Sequence, residues 1–308
     1  SKTDYNFVHN MKELWDESSR RASWRKRADG QPFFYMQSMG QSHESSLHFS
    51  RQVFENQKTT HDPAKVKLAP YHPDTPIFRY THARYLDRIQ IIDNLLGNVV
   101  KQLTADGLLE DTFIFYFGDH GGVLPRGKGY AYESGLHVPL VVRIPKNFAH
   151  LVDHQRGART DGFVSFIDFG PTVLNLAGLK PHKLTDGHAF LGQGVSAKDL
   201  AARDEVFCYA DRFDEKYDLV RTLRKGKYTY IRNSQGFYPD ALQNNYRYKM
   251  LAYTEWRELY KADKLNEVQS QFHQRRPAEQ LFDVEADPHE VNNLADDPKY
   301  ASGLKDLR

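Results

Sequence analysis

Three segments of this chain place side chains that can bind ions beside glycine or at the end of an apolar run. The first is Phe117-Gly118-Asp119-His120-Gly121-Gly122. It follows Thr112-Phe113-Ile114-Phe115-Tyr116, and the continuous apolar run predicts a central strand buried on both faces. A carboxylate and an imidazole at the C-terminal end of such a strand lie where α/β folds place their sites. Both groups are good ligands for a divalent cation. The flanking glycines let the backbone bend and leave room for a ligand. The same six residues also fit a strand-end turn with an Asp cap and an exposed His, and alone they leave both readings open.

The second segment is Pro125-Arg126-Gly127-Lys128-Gly129-Tyr130-Ala131-Tyr132-Glu133. A lysine in a glycine-flanked loop can neutralise a tetrahedral anion such as sulfate or phosphate, and Arg126 can assist it. A solvated basic loop is the plainer reading. The third is His43, in the polar stretch Gln41-Ser42-His43-Glu44-Ser45-Ser46 after the aromatic run Pro32–Met39. An isolated loop histidine is ordinarily solvated.

These residues need elements to hold them. Pro32–Met39 predicts a buried strand ending at Gly40. Residues 51–80, with Pro63, Pro70, Pro73 and Pro76, predict an extended surface loop. From Thr81 to Ala105 the apolar residues Tyr85, Ile89, Ile92, Leu96, Val99 and Leu103 recur at helical steps, and Gly107 is a natural stop. Val138–Ile144 predicts a further strand. Phe166–Ala177 predicts a helix stopped by Gly178.

Beyond residue 200 the texture changes to short alternating strands at Val206–Tyr209, Tyr217–Leu223 and Lys227–Ile231, with a closing helix after Pro298. The expected architecture is α/β. Residues 1–200 form a mixed, largely parallel sheet with helices on both faces, and residues 201–308 form a small antiparallel subdomain with a terminal helix.

Bulk composition excludes several function classes. With 42 basic and 40 acidic residues the net charge is only +2, so nucleic acid held by bulk charge is not an expected partner. No apolar run approaches the roughly 18 residues of a membrane span. The single cysteine, Cys208, rules out an intrachain disulfide framework, and its setting in Val206-Phe207-Cys208-Tyr209 reads as a strand in the core.

Taken in order, the strand ending in Asp119-His120-Gly121, the loop Lys128, the strand at Val138-Pro139-Leu140 and the earlier His43 resemble the sulfatase family of the alkaline-phosphatase superfamily. Pro70-Tyr71-His72-Pro73-Asp74-Thr75-Pro76, then Arg276-Pro277-Ala278-Glu279-Gln280-Leu281-Phe282-Asp283, Asp287-Pro288-His289-Glu290 and Asn293-Leu294-Ala295 resemble its heparan N-sulfatase branch. The resemblance covers most of the chain after residue 30.

It implies that Asp119 and His120 are metal ligands, His120 standing where most sulfatases carry Asn. It implies that Lys128 and His43 contact the sulfate group. The implied metal is a divalent cation, Ca²⁺ first and Mn²⁺ or Zn²⁺ as alternatives, because imidazole is softer than an amide oxygen. The implied substrate is a sulfated small molecule or glycan. The implied compartment is periplasmic or extracellular, or lysosomal in a eukaryote.

The resemblance also asks for a formylglycine, made from Cys or Ser in Cys/Ser-x-Pro/Ala-x-Arg, and for an Asp-Asp metal pair on an earlier strand. No such motif is expected in this chain: Cys208 is read as lacking both the Pro and the Arg, and it lies in the wrong half of the chain. The expectation is therefore that the chain is the C-terminal portion of such an enzyme. The nucleophile and the N-terminal part of the same domain would lie in another segment, and the chain alone would be inactive. A phosphodiesterase or phosphonate monoester hydrolase of the same superfamily, or a non-catalytic remnant, is the alternative.

Overall fold

The computed structural model describes Val8 and residues 10–308. Its longest element is a helix, Pro76–Ala105. Thr75 caps it by accepting the Phe78 amide on its hydroxyl, and Pro76 at the first helical position loses no hydrogen bond there. The helix thus starts five residues before the apolar periodicity becomes visible. A second helix, Arg51–Asn56, is capped by Ser50. Residues 51–80 are therefore not one extended loop: their prolines mark helix starts as well as turns.

Two sheets are present among the described residues. Strands β1 (Ile114–Phe117) and β2 (Leu140–Arg143) pair antiparallel, with Phe115 opposite Val142. The α/β class holds, since helices and two sheets together make up the described residues. The largely parallel sheet expected over residues 1–200 is not what these two strands make. Parallel neighbours need a crossover connection, usually helical. Residues 118–139 instead fold as glycine-rich loops with one short helix, Glu133–Leu136, and bring the chain back antiparallel. Pro32–Met39 is not a strand either. It runs without regular structure, Phe34 and Met36 are exposed, and no neighbouring strand among the described residues completes its hydrogen bonds.

Strands β3 (Glu205–Phe213), β4 (Lys216–Lys225), β5 (Tyr228–Asn233) and β6 (Glu279–Asp283) form an antiparallel sheet in that order. Gly226, at φ 52°, turns β4 into β5. The helix Ala301–Leu307 covers the outer face, with Leu304 buried among Tyr230 and Leu281. Between β5 and β6 the chain inserts residues 234–278, including the helix Leu251–Lys261, which sequence periodicity had not shown.

The largest hydrophobic cluster draws on both sides of residue 200: Leu47, Tyr71, Phe78 and Tyr130 meet Val220, Ile231, Trp256, Phe272 and Phe282. Trp256 and Phe272 stack with ring centres 4.4 Å apart. A smaller cluster under β1 and β2 holds Val152, Phe190, Leu191 and Leu200. Beside it Phe117, Val141, Phe166 and Ile167 keep 38–60% of their surface exposed, an apolar margin that no described residue covers. Among the described residues, no helix is long and apolar enough to cross a membrane.

Candidate functional site

The loop after β1 and the loop carrying Lys128 are built onto each other. The Lys128 amide donates to the Gly122 carbonyl at 2.8 Å, and the Gly121 amide donates to the Gly135 carbonyl at 3.0 Å. A Cβ on Gly127 would run into the Gly122 carbonyl, so this close approach of two backbones requires glycine. Gly129 has φ +80°, and a Cβ there would also meet the Arg247 guanidinium.

Asp119 and His120 occupy the turn that this packing fixes. His120 Nδ1 lies 2.8 Å from the Gly121 carbonyl oxygen, a geometry in which Nδ1 carries the proton and donates. The lone pair is then on Nε2, which faces Asp119 Oδ1 at 3.5 Å. A backbone carbonyl fixing the tautomer of an imidazole whose other nitrogen faces a carboxylate is the arrangement a metal-binding histidine uses. The pair therefore fits a divalent cation, and it supplies two donors. Among the described residues no group of three or more His, Cys, Asp or Glu side chains gathers as a metal cage.

Lys128 is mostly buried, and its ammonium lies 3.7 Å from a Glu44 carboxylate oxygen. Glu44 is only 2% exposed. Its other oxygen lies 3.6 Å from Arg247 Nε. The Arg247 guanidinium in turn donates to the Lys128 carbonyl and stacks over the rings of Phe213 and Tyr130 at 4.0 and 4.6 Å.

His43 directly precedes Glu44. Its Nδ1 accepts from the Ser45 amide at 3.3 Å, capping the short turn Glu44–Leu47, and it also lies 2.9 Å from Ser45 Oγ. With Nδ1 accepting, the neutral ring carries its proton on Nε2, as a donor. The Tyr246 hydroxyl approaches the same Nδ1 at 3.5 Å.

The structure thus joins the Asp119–His120 turn to the Lys128 loop directly, and joins the His43 segment to Lys128 through Glu44. Glu44, Arg247, Phe213 and Tyr246 were not singled out by sequence reasoning. Glu44 sits in a polar stretch where a carboxylate reads as solvated. Arg247 and Tyr246 belong to the insertion after β5, about 120 residues from Lys128 in sequence, and carry no local signal.

Arg126 belongs elsewhere. It is buried in the left-handed region at φ 65°, stacked over Tyr71 and Tyr132, and donates to the carbonyls of His289 and Glu290 at 3.0 and 2.9 Å. It anchors the Asp287–Glu290 segment and does not assist Lys128. That segment answers in kind: the Glu290 carboxylate accepts the Glu133 amide at 2.8 Å.

Cys208 also needs a correction. Cys208-Tyr209-Ala210-Asp211-Arg212 does meet the Cys-x-Ala-x-Arg spacing. The structure places Cys208 in mid-strand on β3, paired with Thr222, and burial pushes its thiol pKa up. A half-buried protonated thiol in a β-ladder is a packing residue.

A family model described as Sulfatase matches residues 4–179. The chain is 36% identical to an ulvan-active sulfatase of Formosa agariphila, over 100% of this chain and 55% of that protein. It is 25% identical to N-sulphoglucosamine sulphohydrolase of Homo sapiens, over 80% of this chain and 50% of that protein. A solved structure of a protein in complex with its substrate D-glucosamine-2-N,6-O-disulfate superposes with a TM-score of 0.53 at 20% identity, covering 75% of this chain and 39% of that one. The chain spans about half the length of the curated relatives it matches.

Proposed function

The chain belongs to the sulfatase family, and we propose that it provides the cation- and sulfate-binding half of a site that hydrolyses a sulfate ester or sulfamate on a carbohydrate. One observation carries the reading: the Lys128 amide is bonded to the Gly122 carbonyl, which fixes a cationic loop against the Asp119–His120 turn. A cation-binding pair beside a lysine suits a tetrahedral anion whose charge rises during attack at sulfur.

In this reading Asp119 and His120 hold a divalent cation, with Ca²⁺ the first choice and Mn²⁺ or Zn²⁺ the alternatives. When bound, that cation supplies Lewis-acid polarisation of a sulfate oxygen. Lys128 offsets charge on the sulfate oxygens. His43 donates from Nε2 to a sulfate oxygen, or gives a proton to the departing oxygen or nitrogen. The nucleophile, a formylglycine, and the remaining metal ligands come from a segment outside these 308 residues. The two-donor cation site and the uncovered apolar margin at Phe117, Val141, Phe166 and Ile167 support that division. The similarity to sulfatases named for ulvan and for N-sulphoglucosamine supports a sulfated glycan as substrate. Such a substrate suits a periplasmic, secreted or lysosomal setting.

The test compares aryl sulfate, glucosamine N-sulfate and aryl phosphonate as substrates of the catalytically complete protein. A sulfate or sulfamate should be turned over fastest. A phosphonate or phosphodiester preferred by tenfold or more would replace this reading with the phosphorus-directed one. Absence of turnover on all three would favour a binding remnant. The 308-residue chain alone should turn over none of them, and adding the missing segment should restore activity.

A further inference from the structure

Lys128 is held more firmly than a solvent-facing loop lysine needs to be, and the residues that hold it are charged and buried. The Glu44 carboxylate, 2% exposed, sits between two cations, with Oε1 3.6 Å from Arg247 Nε and Oε2 3.7 Å from Lys128 Nζ. Oε2 makes no hydrogen bond although it is fully buried. Removing a carboxylate from water without hydrogen-bonding it is costly, so something must compensate the charge. Here the two neighbouring cations do so. Arg247 is itself fixed: its amide donates to Asn244 Oδ1 at 2.9 Å, its guanidinium lies over Phe213 and Tyr130, and it reaches the Lys128 carbonyl.

From these contacts we infer that Glu44 is a positioning residue for Lys128, with Arg247 as its counterweight. This rests on the reading of Lys128 as the sulfate-binding cation. The distances explain the division of labour. At 3.7 Å Lys128 Nζ is attracted to Glu44 but lies beyond a normal hydrogen bond, so all three of its donors remain available to an anion. A carboxylate alone with Lys128 would cancel its charge. Two cations around one carboxylate leave a net charge of +1 at the place where the sulfate must dock. The ammonium is steered to one spot and its charge is retained. Arg247 pins the backbone of Lys128 while Glu44 draws the far end of its side chain, so both ends are set before substrate arrives. Preorganisation of this kind acts on turnover more than on binding.

The experiment is a double-mutant cycle in the catalytically complete protein, using an aryl sulfate. Lys128→Ala, Glu44→Gln and the double variant are compared for kcat and KM. Glu44→Gln should lower kcat about 10- to 100-fold, the scale of displacing a catalytic group by about an ångström, with KM changed about threefold or less. Glu44→Asp keeps the charge but sets the carboxylate back by one methylene, so it should lower kcat by less than Glu44→Gln does. The double variant should be no slower than Lys128→Ala alone, because Glu44 acts only through Lys128.

Losses that multiply in the double variant, or a Glu44→Gln enzyme with unchanged kcat, would overturn the inference. Should Lys128→Ala itself leave turnover intact, the functional reading of Lys128 fails instead, and the two failures are told apart. A second measurement covers a Glu44→Gln protein too unstable for kinetics. In Glu44→Asp the rate of Lys128 acylation by an N-hydroxysuccinimide ester, read by peptide mass spectrometry, should rise at least threefold over wild type while other lysines keep theirs. An unchanged rate there would also overturn the inference.

Discussion

Two charged clusters in this molecule use the same residue types to opposite ends. Under the C-terminal sheet, Lys216 and Arg276 meet Asp218 and Asp240. Arg276 grips Asp218 with two bonds of 2.8 and 2.9 Å, Lys216 lies 3.0 Å from Asp218 and 3.3 Å from Asp240, and the Tyr132 hydroxyl donates to Asp240 at 2.9 Å. Two cations and two anions cancel. Burial pushes the Asp218 carboxyl up, but its bonds to Arg276 and the nearby charge of Lys216 outweigh that and hold it below its ordinary value. Around Lys128 the count is two cations to one anion, and the Lys128 backbone is bonded to the loop that carries Asp119 and His120. A closed cluster fixes structure. An open one leaves an interaction for a ligand to complete, and closure, rather than burial or charge alone, separates the two.

That distinction breaks first at Arg276. Arg276→Ala leaves Asp218 and Asp240 sharing one lysine, and stability should fall by about 3–5 kcal/mol in denaturant titration. A loss below about 1 kcal/mol would mean the cluster was never closed. Lys128→Ala is the counterpart. In the catalytically complete protein turnover should fall about 10²-fold or more while the melting temperature shifts far less than in Arg276→Ala. Equal melting shifts in both variants would erase the contrast.

The turn proposed to bind a cation sharpens it further. Asp119→Asn should weaken cation binding and nearly abolish activity with the fold intact, because a hard cation depends on carboxylate charge. His120→Asn should keep part of the activity and move preference toward Ca²⁺, read as activity and bound metal across a cation series after chelation. An unchanged preference would remove His120 from the ligand set.

The smallest effect concerns Glu290, a lone buried carboxylate. Burial raises its pKa to about 7 from 4.5, against the opposing pull of Arg126. Arg126 and Glu133 are the charged groups that face it. Because the folded-state value is the higher, its contribution to stability is complete below pH 4.5 and is lost as pH rises to about 7. Glu290→Gln cannot ionise, so its melting temperature relative to wild type should climb across that window. A constant difference between the two proteins from pH 4.5 to 7 would show that Glu290 does not titrate there.

Legibility followed the range of the interactions. Asp119, His120, Lys128 and His43 stood out because glycine flanks and strand ends are local signals. Strands β3 to β5 were visible from alternation, and the closing helix from its proline. Strand direction was not legible, because the apolar run of β1 reads the same in parallel and antiparallel pairs. Pro32–Met39 carries strand residues but meets no partner strand among the described residues. The start of the long helix was hidden behind its own N-terminal proline. Glu44 and Arg247 lay beyond reach for a different reason: their meaning depends on a contact spanning some 200 residues, and neither stands in a patterned segment.

The glycine packing at the site bears on how such a protein can diversify. Side chains at Gly121, Gly127 and Gly135 would collide with the backbone of neighbouring loops, so the frame that holds Asp119 and Lys128 can accept almost no sequence change. In the segment after β5, Arg247 is tied to that frame through the Lys128 carbonyl, whereas Tyr246 reaches only the His43 ring at its edge. Variation that retunes what is accepted beside His43 can therefore accumulate there, one side chain at a time, while the reacting frame stays untouched. In the proposed reading, what is accepted beside His43 can drift at Tyr246 without disturbing the residues that hold Lys128.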